Sequence, residues 1–212
     1  MIKGNRMHKF DPANHKRLNS EERYRIMPPG PLIDEIEKAA AVNLKSGEAV
    51  TIADVGCGSG FFSLPIMKRF QDKNILLFAL DVSDEMLGIF NDNLRNKVGV
   101  ENLSKVKSFK CEEYFLPLAD NSVNILLLAN VFHEIEDKPN YLQEVKRVLK
   151  NEGAFFLLDW KKEDLNPVMG PPAGERVSTE EAVNILKKAN FKDIKLLPLY
   201  SSSFTLVSKK RD

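Results

Sequence analysis

The stretch VTIADVGCGSGFF, residues 50–62, decides the fold. It opens as an apolar run of strand length, rich in the β-branched residues Val50, Thr51, Ile52 and Val55. Three alternating glycines follow at once, Gly56, Gly58 and Gly60, and a helix is expected over 61–70. Glycines between a buried strand and a helix let the backbone take positive φ and approach a ligand closely. A tight turn without a ligand is the other reading of the same residues. The spacing is G-x-G-x-G, not the G-x-G-x-x-G of dinucleotide folds, and no Lys-Ser/Thr pair follows as it would in a nucleotide P-loop. Asp54 stands just before the first glycine. An anion there repels a pyrophosphate and suits a ligand carrying ammonium or sulfonium charge.

Working outward, the alternation continues. NILLFALDV (74–82) reads as a second strand, and Ser83 caps a helix to about Asn96, with Asp84 and Glu85 in its positive first turn. VKSFKCE (106–112) and VNILLLANVF (123–132) read as the third and fourth strands. Asp137-Lys138-Pro139 opens the next helix, Asn151-Glu152-Gly153 reads as a turn, and AFFLLDW (154–160) as the fifth strand. A loop rich in Pro and Gly covers 161–177, and Ser178-Thr179-Glu180-Glu181 fits a capping box. KDIKLLPLY and SFTLVSKK, with a short turn between them, read as a closing antiparallel pair. Upstream, LIDEIEKAAAVNL (32–44) has helix spacing, with Pro31 suited to its first position. The pattern implies a doubly wound, Rossmann-like, seven-stranded and mostly parallel sheet with helices on both faces and an antiparallel edge strand. The organisation expected is a leader or lid over 1–31 and one domain over 32–212. Ligands in such sheets sit at the carboxyl ends of the strands.

Composition excludes several function classes. A chain of 212 residues suits one domain, which hides roughly 70% of its unfolded surface. Lys+Arg at 31 against Asp+Glu at 30 gives a net charge of +1, too balanced for a chain that coats nucleic acid or an anionic membrane. Two cysteines, Cys57 and Cys111, are too few for a disulfide scaffold and fit a reduced, cytoplasmic chain. The start MIKGNRMHKF has no apolar segment of signal-peptide type, and no apolar run reaches the ~20 residues of a membrane span.

The second anchor is Asp81, at the end of the second strand in FALDVS. A carboxylate there can accept from both hydroxyls of a ribose, each charged hydrogen bond contributing roughly 1.5–3 kcal/mol. A solvated strand-end acid or a helix cap is the alternative role. The segments IADVGCGSG, ALDVSDEML, CEEYFLPLADNSVNILLLANVFHEIED and YLQEVKRVLKNEGAFFLLDW together resemble the class I S-adenosylmethionine-dependent methyltransferases, in the small-molecule group that includes quinone C-methyltransferases. The likeness covers roughly residues 48–165 in order and spacing.

That resemblance implies roles. Asp54 and the loop Gly56, Cys57, Gly58 and Gly60 would hold the methionine part of S-adenosylmethionine. Asp81 would hold the ribose, with Val82 and Met86 packing on the adenine. Cys111, Glu112 and Glu113 would border the adenine, although the family has a small residue where Glu113 stands. Ala129 and Asn130 would lie near the transferable methyl. Asn124 replaces a common Asp, at a position serving packing or turn geometry.

Methyl transfer from a sulfonium is mainly in-line positioning, so a base is not obligatory. His133 could deprotonate an acceptor, or it could order its loop. Glu134 could act beside it or be a solvated charge. The leader, with His8, His15, Arg17, Arg23 and Tyr24, could fold over the ligand or stay a basic arm. Trp160, beside Asp159, could stack on substrate or pack in the core. The sequence lacks the Asn/Asp-Pro-Pro-aromatic segment of adenine-type DNA methylation, and no cluster reads as a metal site. The expectation is a small-molecule methyltransferase with no nucleic-acid partner, and a homodimer is left open. The rival readings are a nicotinamide oxidoreductase on a similar sheet and a non-catalytic module that only binds S-adenosylmethionine.

Overall fold

The alternating elements resolve into one seven-stranded sheet in the computed structural model, which describes residues 12–164 and 169–211. The strands are β1 Val50–Val55, β2 Ile75–Asp81, β3 Val106–Lys110, β4 Val123–Ala129, β5 Leu149–Trp160, β6 Phe191–Leu197 and β7 Ser203–Lys210. Their order is β3-β2-β1-β4-β5-β7-β6. β1 to β5 run parallel, and β7 runs antiparallel to both β5 and β6. The antiparallel closing pair therefore sits at one edge, with β7 one strand in from β6. The chain steps outward from β1 to β2 and β3, then returns to the other side of β1 as β4. That reversal opens a crevice at the carboxyl ends of β1 and β4.

The helices are α1 Glu21–Ile26, α2 Pro29–Lys45, α3 Ser63–Arg69, α4 Asp84–Lys97, α5 Lys138–Val148 and α6 Thr179–Lys188. The expected caps form. Ser83 accepts from the Met86 N–H, Asp137 from Asn140 and Ser178 from Glu181. α2 starts at Pro29, two residues before the expected Pro31, because neither proline forfeits a bond in a first turn whose N–H groups have no partners. The expected leader boundary at residue 31 thus falls inside α2. A 3₁₀ segment, Pro12–Asn19, and α1 lie upstream of it.

One local expectation is corrected. Asn151-Glu152-Gly153 is not a turn between elements but an irregularity within β5. Val123 pairs with Leu149 and Ile125 with Ala154, so the extra residues are absorbed in the strand, with Glu152 at φ 61°. The ladder resumes in the same direction beyond it, which a bulge permits and a reversing turn would not.

The central strands β1, β4 and β5 are buried on both faces over most of their length, which their continuous apolar runs require. The edge strands β3 and β6, by contrast, carry exposed lysines. Ile52, Leu77, Ile125 and Leu127 pack with Leu32 and Ile36 of α2 and with Ile66 and Met67 of α3. Ala53, Leu80, Leu126 and Leu128 pack with Leu142 and Val145 of α5 and Leu186 of α6. Fully burying one such side chain contributes about 1.5–3 kcal/mol. Leu87, Phe90 and Leu94 of α4 close a third cluster over Ala79. Among the described residues, no helix is long and apolar enough to cross a membrane.

Candidate active site

The glycine loop is pinned to the sheet. The N–H groups of Gly56 and Cys57 both donate to Leu80 O, at 2.7 and 2.9 Å. Gly56 has φ 73°, and a Cβ on it would lie 2.3 Å from Val131 Cγ2, so the loop passes against the segment after β4 with no room for a side chain. The Gly58 N–H donates to Asp81 Oδ2 at 2.9 Å, and Asp81 Oδ1 accepts from the Ser83 N–H at 3.0 Å. The β2 carboxylate is therefore already oriented by the loop of β1.

These elements border a cavity of about 440 Å³ at the carboxyl ends of the strands, a size that suits a small-molecule cofactor. Asp54, Gly56, Cys57, Gly58, Asp81, Val82, Met86, Cys111, Glu112, Glu113, Ala129, Asn130 and His133 all border it. Gly60 does not. Its φ is 91°, and a Cβ there would lie 2.8 Å from Leu64 Cγ and 3.0 Å from Phe90, so its task is the turn into α3 and the packing of α4. Asn124 lies away from the cavity. Its Oδ1 accepts from the Thr51 N–H and from Lys150, both at 3.0 Å, and ties β4 to its neighbours.

The charges at the β1–β2 end are buried. Asp54 is 2% exposed and accepts from Ser63 Oγ. Burial raises its pKa to about 6, with the nearby Asp81 charge adding to the rise; the Ser63 hydrogen bond and Arg23 oppose it. Burial also raises the pKa of Asp81, against three backbone N–H donors. Burial pushes the Cys57 thiol well up and the Cys111 thiol to about 12, so neither is a thiolate nucleophile.

The β4–β5 end holds a pairing that the sequence reading did not foresee. His133 Nδ1 lies 2.8 Å from Asp159 Oδ1, and Asp159 Oδ2 accepts from the His133 N–H at 2.8 Å. Asp159 Oδ1 also accepts from the Trp160 N–H at 2.7 Å, and the carboxylate is fully buried. A proton on Nδ1 is the arrangement this carboxylate favours, which leaves the Nε2 lone pair free. Nε2 lies 3.7 Å from Glu134 Oε1. Burial is the largest single influence on His133 and lowers its pKa. The charge and hydrogen bond of Asp159, with Glu134 and Glu175, outweigh it, so the pKa is raised overall. The signal that could have found this pair is strand adjacency, because the segment just beyond β4 meets the carboxyl end of the neighbouring parallel β5.

Glu134 and Trp160 also border the cavity. So do Met169, Gly170, Pro171 and Pro172 from the Pro/Gly-rich loop, which is held by the buried Arg176. Arg176 donates to Pro171 O and Met169 O at 2.8 Å and to Lys161 O at 3.3 Å. From the leader, Arg17, Leu18 and Arg23 border the cavity, and Asn19 Nδ2 donates to Ser59 Oγ at 2.8 Å. Tyr24 and His15 do not border it; Tyr24 instead stacks on Phe61 with centroids 4.7 Å apart. His8 lies outside the described residues.

A family model described as a methyltransferase domain matches residues 53–157. The chain is 31% identical over 113 residues to the ubiquinone/menaquinone biosynthesis C-methyltransferase of Rickettsia prowazekii, covering 52% of this chain and 44% of that one. The chain therefore spans under half the length of this curated relative. A crystal structure of an S-adenosylmethionine-dependent methyltransferase from Aquifex aeolicus superposes with TM-score 0.80 and 30% identity, over 96% of this chain and 100% of that one. A [4+2]-cyclase shares the fold at TM-score 0.67 and 16% identity, over 84% of this chain and 79% of that one.

Proposed function

The chain belongs to the S-adenosylmethionine-dependent methyltransferases, and on that premise we propose that it methylates a small-molecule acceptor, with His133 receiving the acceptor's proton. The observation that carries this reading is His133, which borders the cavity and is held from behind by the fully buried Asp159.

The residues at the β1–β2 end fit the cofactor. Asp81 is held by Gly58 and Ser83, and its remaining lone pairs can meet two hydroxyls. The Asn130 Oδ1 is buried without a hydrogen-bond partner, at φ 58°, beside the cavity. An orphaned acceptor at that point calls for a donor from a ligand. Cys111, Glu112 and Glu113 offer the wall for the adenine, with Val82 and Met86 on its face. When bound, the cofactor supplies a sulfonium methyl that forms its new bond to the acceptor as the bond to sulfur breaks. Asp159 fixes the His133 tautomer and ring plane. His133 takes the acceptor proton at Nε2, and Asp159 stabilises the imidazolium that results.

Trp160, Met169, Pro171 and Pro172 make the rest of the wall largely apolar, which supports an acceptor with a flat or aliphatic body and one ionisable group. The leader from Arg17 to Arg23 supplies the cover, as a lid on the cofactor side.

The test is turnover to S-adenosylhomocysteine across a panel of small acceptors, with His133→Ala beside the native chain. The expected result is turnover that falls by about 10²–10⁴ in the variant, while affinity for S-adenosylhomocysteine changes less than twofold by calorimetry. Loss of cofactor affinity in a folded variant refutes the placement of His133. Binding without turnover of any acceptor favours a non-catalytic module. Preference for a nicotinamide dinucleotide in the same calorimetry favours an oxidoreductase.

A further inference from the structure

A buried cation holds an exposed loop after β5. Gly170, Pro172 and Ala173 of that loop are exposed, whereas the Arg176 side chain at its end is fully buried. Each nitrogen of Arg176 donates to a loop carbonyl. Nε bonds to Pro171 O and Nη2 to Met169 O, both at 2.8 Å, and Nη1 to Lys161 O at 3.3 Å. Asp164 Oδ2 lies 3.9 Å from Nη1. The planar fork thus grips the loop near both its ends, a geometry that a single ammonium cannot reproduce. A buried guanidinium is tolerated only where its donors are met, so the loop carbonyls and the arginine fix one another.

What they fix is one wall of the cavity. Trp160 ends β5, is 5% exposed and borders the cavity together with Met169, Gly170 and Pro171. Gly170 has φ 96°, and a Cβ on it would lie 2.7 Å from Trp160 Cδ2 and 2.9 Å from Cγ. Loop backbone therefore lies directly on the indole, with no room for a methyl group between them. The Arg176 guanidinium carbon stands 5.8 Å from the centroid of the same ring. Asp159, the residue before Trp160, holds His133, so one strand end sets both the indole wall and the imidazole. Glu134 and Glu175 border the cavity near His133, whereas the cations that border it, Arg17 and Arg23, come from the leader. An anionic group between those carboxylates and the indole would find no partner.

We propose that Trp160 seats a flat, apolar acceptor body with no anionic substituent. The backbone of Gly170 sets the depth of that seat, and Arg176 is the positioning residue that holds it. The proposal rests on the methyltransferase reading above and gives that reading an acceptor class. An aromatic acceptor gains most from such a wall, because paired rings attract beyond the area they bury.

The chain has one tryptophan, so labelling with 5-fluorotryptophan gives a single fluorine NMR signal at this wall. The labelled full chain is saturated with S-adenosylhomocysteine and titrated near neutral pH with phenol, 2-naphthol and 2-naphthoate. 2-Naphthol is expected to move the signal and to bind at least tenfold tighter than 2-naphthoate. Gly170→Ala should weaken 2-naphthol at least fivefold and the smaller phenol less than twofold. Arg176→Met should weaken 2-naphthol at least tenfold, and Arg176→Lys should restore part of that loss. Neither Arg176 variant should change S-adenosylhomocysteine affinity more than twofold by calorimetry, a split that mere destabilisation would not give. A signal unmoved by 2-naphthol, or equal binding of 2-naphthoate, overturns the proposal. So does an equal loss of probe and cofactor affinity in folded Arg176→Met. If circular dichroism shows Arg176→Met unfolded, Gly170→Ala, at an exposed residue, decides alone, and an unchanged preference between phenol and 2-naphthol overturns the proposal. A native chain that does not bind S-adenosylhomocysteine removes the cofactor reading itself, a result distinct from an unmoved signal with the cofactor site filled.

Discussion

The two ends of the cavity treat buried charge in opposite ways. At the β4–β5 end, Asp159 spends its lone pairs inside the fold, on His133 Nδ1 and on the N–H groups of His133 and Trp160. At the β1–β2 end, Asp54 has one side-chain donor, Ser63, and Arg23 has an unpartnered Nε. The first end is complete without a ligand, and the second is not. A buried charge that is paired and hydrogen-bonded supports folding, whereas one left short of partners opposes it. The contrast teaches where binding energy has to come from. On the proposed assignment, the cofactor end gives up stability in the free protein and regains it on loading, and the acceptor end is organised in advance.

The strongest way to break this comparison is to make the same change at both ends. Asp159→Asn keeps size and shape but replaces an anion with three donors by an amide whose NH₂ faces one of them. Hydrogen bonds to charged groups are worth about 1.5–3 kcal/mol each. The variant should lose about 3 kcal/mol or more of unfolding free energy, read from denaturant melts. A loss under about 1 kcal/mol would mean that the pair contributes no internal stability.

Asp54→Asn should act with the opposite sign in the ligand-free protein. The folded pKa of about 6 lies above the unfolded value near 3.9, so the folded state holds its proton longer. Stability then falls as pH rises between those two values and stays lower above them. At one pKa unit per 1.36 kcal/mol, removing the charge returns up to about 3 kcal/mol at pH 8. The Asn oxygen still accepts from Ser63, so the packing is kept. The same variant should bind S-adenosylhomocysteine more weakly. Equal destabilisation by the two substitutions would end the distinction between the two ends of the cavity.

What the sequence made legible follows the same division between local and distant physics. The glycine loop, the strand-end position of Asp81 and the caps at Ser83, Asp137 and Ser178 are set by residues a few places apart, so pattern and spacing reveal them. The family resemblance added the expected ligand roles, and all but Gly60 of the residues it gave a ligand role border the cavity. Gly60 stands back from the cavity against Leu64 and Phe90, and in sequence a glycine required by packing and one required by a ligand look alike. The His133–Asp159 contact spans 26 residues and depends on β4 lying beside β5. No local pattern marks it. Arg23 sat in a segment readable only as polar and basic, although Ser20 followed by Glu21 and Glu22 carries an N-cap signature and does cap α1. Arg23 lies over the Phe61 ring, far along the chain, and spacing cannot show that contact.

The subtlest test asks whether the complete end also does chemistry. A proton acceptor must be neutral, so turnover should rise with pH through the titration of His133. Burial favours the neutral imidazole, but Asp159, Glu134 and Glu175 together favour the cation more, so the rise should centre above the ordinary histidine value of about 6.5. Asp159→Asn removes the main charge that raises this pKa and leaves the burial that lowers it. In whatever fraction of that variant remains folded, the rise should move to lower pH while the plateau falls, because the ring is no longer oriented by a carboxylate. Two changes in opposite directions, an earlier onset and a lower ceiling, separate a proton acceptor from a residue that merely orders its loop. A loop-ordering histidine would lower the plateau and leave the midpoint where it was. A native profile flat from pH 6 to 9 would remove His133 from the reaction altogether, and methyl transfer would then rest on positioning alone.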